Sequence, residues 1–329
     1  MDKTFTLIIC TYLRPNPLLK LLKSVDKQSV YPNEILIIDG STNNETEFAL
    51  NQDPFKNLKY YKVDAENRGL TKQRNFGIDK VSEASEIICF LDDDTVLNTD
   101  YFQQLLNTYS VYPEALGVGG YIENESVFDY VGHNYKPKSN EFYFDGWKRK
   151  DSSRFVIRKK FGLEPDCPPG FSPSFSHARS VSFLPPSNKI YEVELLMGGV
   201  SSFKKEVFET HQFSTYFEGY GLYEDADFSL RLAKTGKLYL NTAAKLDHYH
   251  EVSGRPNQYK YGNMVVKNGW YVWRVKNSEP TFKDKMKWHV ITLLLIFIRF
   301  SNTFTASNKK QVFTEAIGRS VGWLKVLIR

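Results

Sequence analysis

The chain has 329 residues and a formal net charge of +5, from 43 Lys+Arg against 38 Asp+Glu, and 41% of it is hydrophobic. At roughly 150 residues per domain this suits one large domain or two ordinary ones, and the composition excludes a wholly disordered or fibrous chain. The net charge is too small to argue for nucleic acid as a partner, but it is unevenly placed: residues 281–329 carry nine basic and two acidic residues, a net +7, which leaves −2 on residues 1–280.

Phe5-Thr6-Leu7-Ile8-Ile9-Cys10 reads as a buried strand, and Leu18, Leu21, Leu22 and Val25 after Pro15 and Pro17 read as a helix. Residues 34–39 predict a second strand, 58–63 a third and 86–91 a fourth, with helices over 69–82 and 99–111 and a strand over 115–122. Alternating strands and helices, with strands apolar almost throughout, imply an α/β fold built on a mostly parallel sheet. In such sheets ligands bind beyond the carboxyl ends of the strands. Those ends carry Thr11, Asp39 and Asp92-Asp93-Asp94, which suggests one site. Residues 124–192 change character. Six of the 14 prolines fall between Pro165 and Pro186, among Phe161, Phe171, Phe175 and Phe183, so the segment reads as an ordered insertion or lid without regular structure. Residues 224–236 then read as a helix with an acidic start, and the pattern is helical from Tyr259 to the end.

Three cysteines, Cys10, Cys89 and Cys167, are too few and too scattered for a disulfide framework or a zinc site. Cys10 and Cys89 lie in strand-like runs and are expected to be buried thiols, which fits a reducing compartment. The first residues have no signal-peptide layout. No run reaches the ~18 apolar residues of a membrane span; Trp288–Ile298, between Lys287 and Arg299, is too short.

The strongest chemical signal is Asp92-Asp93-Asp94 at the end of an apolar strand. Adjacent carboxylates repel unless a cation or donors neutralise them, and hard oxygen ligands suit Mg²⁺ or Mn²⁺. A solvated acidic turn is the plainer alternative. Glu224-Asp225 opens a helix, where acidic residues favour the positive end of the dipole; one of them could equally be a general base. In Asp247-His248-Tyr249-His250 either imidazole could complete a metal site, although a lone histidine is more often structural. Asn67-Arg68-Gly69 with Arg74-Asn75 offers guanidinium groups suited to phosphate or base edges, or a loop leading into a solvated helix face.

Taken in order, Thr11, Asp39, Asn67-Arg68-Gly69, Asp92-Asp93-Asp94, Met197-Gly198-Gly199 before a short helix over 203–208, Glu224-Asp225 and His248 resemble the motifs of family 2 glycosyltransferases, over roughly residues 4–255. The resemblance implies the nucleotide-sugar-binding GT-A fold. Residues 1–255 would be the catalytic domain, with 1–123 the donor-binding half, 124–192 the insertion and 193–255 the acceptor and base half; 256–329 would be a helical extension. It also implies roles. Thr11, Asp39 and Arg68 would hold the nucleoside, with Asp92 and Asp93 also at the donor. Asp94 would bind Mg²⁺ or Mn²⁺ with His248, His250 being the fallback. Asp225 would deprotonate the acceptor hydroxyl, with Gly199 and Glu224 near the acceptor. The implied reaction is inverting transfer from a pyrimidine nucleotide sugar (UDP- or dTDP-linked) to a saccharide or lipid-linked saccharide of the cell surface, by an enzyme at the cytoplasmic membrane face that could form homo-oligomers.

Two rivals stand beside this. A nucleotidyltransferase would normally carry a Gly-rich basic loop after the first strand, where Cys10-Thr11-Tyr12-Leu13-Arg14-Pro15 stands instead. A silent saccharide-binding protein on the same fold would be expected to have lost Asp94 or Asp225. The basic and apolar tail reads either as a membrane-interface helix or as a helix packed on the catalytic domain or a partner.

Overall fold

The computed structural model describes residues 3–125, 127–217, 220–250 and 257–328. They form two compact units, the first made of Met1–Ser126 and Pro186–Gly254, the second of Val127–Pro185 and Arg255–Arg329.

The first unit opens with β1 (Phe5–Thr11), α1 (Pro15–Val25), β2 (Glu34–Asp39), α2 (Glu45–Gln52), β3 (Leu58–Lys62), α3 (Leu70–Ile78), β4 (Ile87–Asp92), β5 (Thr95–Leu97), α4 (Tyr101–Val111) and β6 (Ala115–Ile122). Every residue of β2 is buried, and β1 is buried except at Cys10, as expected of strands covered on both faces. Helix α1 begins on its prolines and buries Leu18, Leu21, Leu22 and Val25, one stripe at helical spacing. Cys89 is buried and Cys10 is partly exposed as a residue, but burial pushes both thiols up, as expected of thiols inside strands, and all three cysteines are free.

The chain then contributes β7 (Asp129–Tyr130), β8 (Glu141–Phe144), β9 (Trp147–Lys150) and α5 (Ser153–Lys160) to the second unit. Regular structure here corrects the expectation of none. Its signal is Asp145-Gly146, both at positive φ (48° and 84°), the primed turn that closes a two-residue hairpin and pairs Phe144 with Trp147. Returning to the first unit, the chain forms β10 (Ile190–Val193), β11 (Val200–Lys204), α6 (Glu224–Leu232) and β12 (Lys237–His248). Where a helix was expected over 203–208, β11 ends at Lys204 and a 3₁₀ turn spans Lys205–Glu209.

The main sheet runs β10-β12-β6-β11-β4-β1-β2-β3, with β5 alongside β12. The pairs of β1 with β2 and β4, β2 with β3, and β6 with β12 are parallel. β11 is antiparallel to both β4 and β6.

The second unit is completed by α7 (Gln258–Lys276), α8 (Phe282–Ser301) and α9 (Lys309–Leu327), each N-capped by a side-chain oxygen: Asn257, Thr281 and Asn308. Trp270, Trp273 and Trp288 form its helical core. Around Arg179, the rings of Phe142, Phe155 and Phe183 lie 4.0–5.0 Å from the guanidinium, which forks onto Asp151 at 2.8 Å. Thus 127–185 and 255–329, read from sequence as separate segments, share one unit. The expected boundary at residue 255 lies outside the described residues. Among the described residues, no helix is long and apolar enough to cross a membrane.

Candidate active site

Strands β1, β2 and β4 end together. Thr11 registers with Asp39, and Cys10 with Asp92. Asp39 is wholly buried; its Oδ1 accepts from the Ser41 amide at 2.7 Å and its Oδ2 from the Tyr60 hydroxyl at 2.8 Å. Burial, together with the Asp39 carboxylate, holds the Tyr60 hydroxyl well above the usual phenol range. The Arg68 Nε donates to the Gly40 carbonyl at 2.7 Å, which places this side chain at the same strand end.

The acid triplet divides into three environments. Asp93 is buried, takes a hydrogen bond from Thr11 Oγ1 at 2.6 Å and lies 3.1 Å from Arg14 Nη1. Burial pushes its carboxyl up to about 6, with Thr11 and Arg14 pulling the other way. Thr11 and Asp93, expected to meet a donor, are therefore turned toward each other. Asp94 is buried and lies 3.5 Å from the same Arg14 nitrogen. The Asp92 side chain is 42% exposed and is the accessible member.

β12 brings His248 to this triplet. The strand pairs with β5 so that His248 faces Thr95, and the Tyr249 amide donates to the Asp94 carbonyl at 2.9 Å. His248 Nε2 comes to 3.0 Å from Asp94 Oδ1, and its Nδ1 to 3.0 Å from Glu125 Oε1. Burial works against the charged ring, but hydrogen bonds to Asp94 and Glu125 raise His248 to about 10. His250 is exposed, with Nε2 2.9 Å from Glu125. Ligand atoms of Asp92, Asp94 and His248 all lie within 4.8 Å of one another. Two carboxylates and an imidazole fit the oxygen and nitrogen preferences of Mn²⁺, and the carboxylates those of Mg²⁺. Glu125, His248 and His250 form a second such group among the described residues.

The acidic pair opens α6, which the chain enters through positive φ at Gly221 (72°) and Tyr223 (70°). Glu224, expected near an acceptor, is buried and ion-paired with Arg74 of α3. Arg74 is itself buried and lies 3.7 Å from Asp92, so it is spent inside the protein rather than offered to a phosphate. Burial raises Glu224 to about 8, with Arg74 opposing and Asp225 adding to the rise. Glu224 Oε2 is buried without a hydrogen-bond partner among the described residues. Asp225 is held by the amides of Ala226 at 2.8 Å and Gly198 at 3.3 Å, and burial raises its carboxyl despite them. A Cβ at Gly199 would overlap the Asp92 carboxylate; this glycine lets the strand entering β11 approach the triplet, and its carbonyl accepts from the Asp92 amide at 3.0 Å.

Sequence reasoning singled out neither Glu125 nor Arg14. Arg14 lies three residues past Thr11 and had a local signal; Glu125 follows β6 outside any motif. The two acidic clusters meet through Arg74, which touches both.

The sequence model of the family described as "Glycosyl transferase family 2" matches residues 6–178, just over half of the chain. The chain belongs to that family. Family relatives include a glucosyl-dolichyl phosphate glucuronosyltransferase of Haloferax volcanii, 29% identical over 144 residues, 42% of this chain and 43% of the relative. The O-antigen chain rhamnosyltransferase RfbN of Salmonella typhimurium is 29% identical over 106 residues, 32% of this chain and 33% of the relative. The chain thus spans less than half the length of these curated relatives. In fold it is similar to a crystal structure of GalNAc-T7 with UDP, GalNAc and Mn²⁺, at a TM-score of 0.51 and 15% identity, over 80% of this chain and 47% of that one. The fold is GT-A, with a helical C-terminal part.

Proposed function

We propose that the chain is a metal-dependent, inverting glycosyltransferase that moves a sugar from a pyrimidine nucleotide sugar, UDP- or dTDP-linked, to a hydroxyl of a saccharide or lipid-linked saccharide in cell-surface polysaccharide synthesis. The observation that carries it is that ligand atoms of Asp92, Asp94 and His248 lie within 4.8 Å of one another, an arrangement suited to a divalent cation, with Arg74 touching both Asp92 and Glu224. The naming of relatives as rhamnosyl- and glucuronosyltransferases, and the UDP and Mn²⁺ bound by GalNAc-T7, support the substrate class.

In this reading Asp39 and Arg68 hold the nucleoside, and Thr11 with Arg14 braces Asp93 and hence the turn that presents Asp92 and Asp94. Mn²⁺ or Mg²⁺ on Asp92, Asp94 and His248 would supply Lewis-acid stabilisation of the departing diphosphate. The acceptor hydroxyl attacks the anomeric carbon as its proton passes to Asp225, while the bond from that carbon to the diphosphate oxygen breaks. A single displacement inverts the anomeric centre. Glu224, held by Arg74, fixes the start of α6 and with it Asp225, and Gly199 leaves room beside Asp92.

The same proposal places the enzyme on the cytoplasmic membrane face. The second unit carries 24 Lys+Arg against nine Asp+Glu, a net +15, leaving −10 on the first. On α8, Phe282, Met286, Val290, Leu293 and Phe297 are exposed at spacings of 4, 4, 3 and 4 residues, one apolar stripe among Lys283, Lys285 and Lys287. A helix of this kind lies in the headgroup plane of an anionic bilayer.

The test of the activity is release of nucleoside diphosphate from a nucleotide sugar. Turnover should require Mn²⁺ or Mg²⁺ and stop in EDTA; metal-independent turnover would refute the reading.

A further inference from the structure

His248 is gripped by two consecutive residues that follow β6. Asn124 takes its backbone: the side-chain amide donates to the His248 carbonyl at 3.0 Å and its Oδ1 accepts from the His248 amide at 3.0 Å. Glu125 takes the ring, with Oε1 3.0 Å from Nδ1, while Nε2 faces Asp94 Oδ1 at 3.0 Å. The parallel pairing of β6 with β12, Ile122 opposite Leu246, is what sets this pair beside the end of β12.

A neutral imidazole has one nitrogen lone pair to offer a cation. A carboxylate at Nδ1 keeps the proton there, leaves the lone pair on Nε2 and fixes the plane of the ring. We propose that Asn124 and Glu125 are positioning residues that hold His248 with Nε2 presented to the cation site formed with Asp92 and Asp94. The inference rests on the metal reading given under Proposed function and deepens it. His250 Nε2 reaches the same Glu125 oxygen at 2.9 Å, and its ring lies 4.2 Å from that of His248. His250 thereby braces Glu125 from outside and is not a ligand of the ion.

The experiment titrates Mn²⁺ into the full chain with UDP present, following free Mn²⁺ by electron paramagnetic resonance, for wild type, Glu125→Ala, Glu125→Gln and Asn124→Ala. Wild type should bind one Mn²⁺. Glu125→Ala should weaken that binding about 10–100-fold, the range found when such supporting groups are lost. Glu125→Gln keeps an acceptor for Nδ1–H and should recover most of the affinity. Asn124→Ala should weaken it as well. Melting temperature and metal-free UDP binding should stay at wild-type values in all three variants. Wild-type chain that takes up no Mn²⁺ would remove the metal reading, and this inference with it. Wild type that binds Mn²⁺ while Glu125→Ala binds equally tightly would remove this inference alone. Three further outcomes would also overturn it: two ions in wild type with one lost in Glu125→Ala, making Glu125 a ligand of a second ion; equal losses in the Ala and Gln variants; or a parallel fall in melting temperature and metal-free UDP binding, the mark of a merely structural part.

Discussion

In the proposed reaction Asp225 must be ionised to accept the proton, yet burial raises its pKa from the ordinary aspartate value. The sign follows for both function and stability. The base is competent only above its raised value, so turnover should fall as pH drops through a point higher than that of a free aspartate. The ionised form is the one the fold disfavours, so the stability this residue contributes is present at low pH and is lost as pH rises through the raised value. Asp225→Asn should therefore lower transfer by roughly 10²–10⁴-fold, leave UDP affinity near wild type, and melt no lower than wild type at neutral pH. A turnover assay with calorimetry checks all three, and retained transfer would remove Asp225 as the base. At this scale the sequence exposed the carboxylates and the histidines but not their environments. Asp92, Asp93 and Asp94 are identical letters; strand pairing and the Thr11 and Arg14 contacts make one accessible and two buried.

Elements were legible where their signal was local. β1, β2 and β4 are apolar runs, and α1 shows its stripe in the spacing of its leucines. β12 was not anticipated, because Lys237–His248 has no clean alternation and earns its place by pairing with β5, β6 and β10. With it went the contact between His248 and Asp94, 154 residues apart, which no local pattern encodes. The β8–β9 hairpin did have a local signal in Asp145-Gly146, masked by the proline-rich stretch that follows. The close approach of the strand entering β11 to Asp92 belongs to this scale too. Gly199→Ala forces a Cβ onto the Asp92 carboxylate, an overpacking that costs about 1–3 kcal/mol. We expect a lower melting temperature and at least about tenfold weaker Mn²⁺-dependent UDP binding, since the displaced group is a proposed ligand. Unchanged binding in calorimetry would show that Asp92 is not held there for the cation.

For the molecule as a whole, the net charge of +5 hides a division between a unit at −10 and a unit at +15. Each Lys or Arg near an anionic bilayer contributes about 1 kcal/mol, so in the proposed membrane contact the second unit would supply the attraction. The chain should co-sediment with phosphatidylglycerol vesicles at low salt, and much less with phosphatidylcholine or at 1 M salt, where the screening length is about 3 Å. Replacing Phe282 and Phe297 with Glu should weaken that binding; equal sedimentation of the double variant would exclude the α8 stripe as the contact. The acidic first unit does nothing to attract a nucleotide diphosphate, which in the proposed reaction leaves that task to a bound cation. The measurement that bears most directly on this account is therefore nucleoside diphosphate release from UDP-, dTDP- and GDP-sugars, each run with Mn²⁺ and with EDTA. Release from a UDP- or dTDP-sugar that requires Mn²⁺ and is lost in Asp94→Ala is the predicted result. Release that is indifferent to the ion, or absent with every donor, would contradict it.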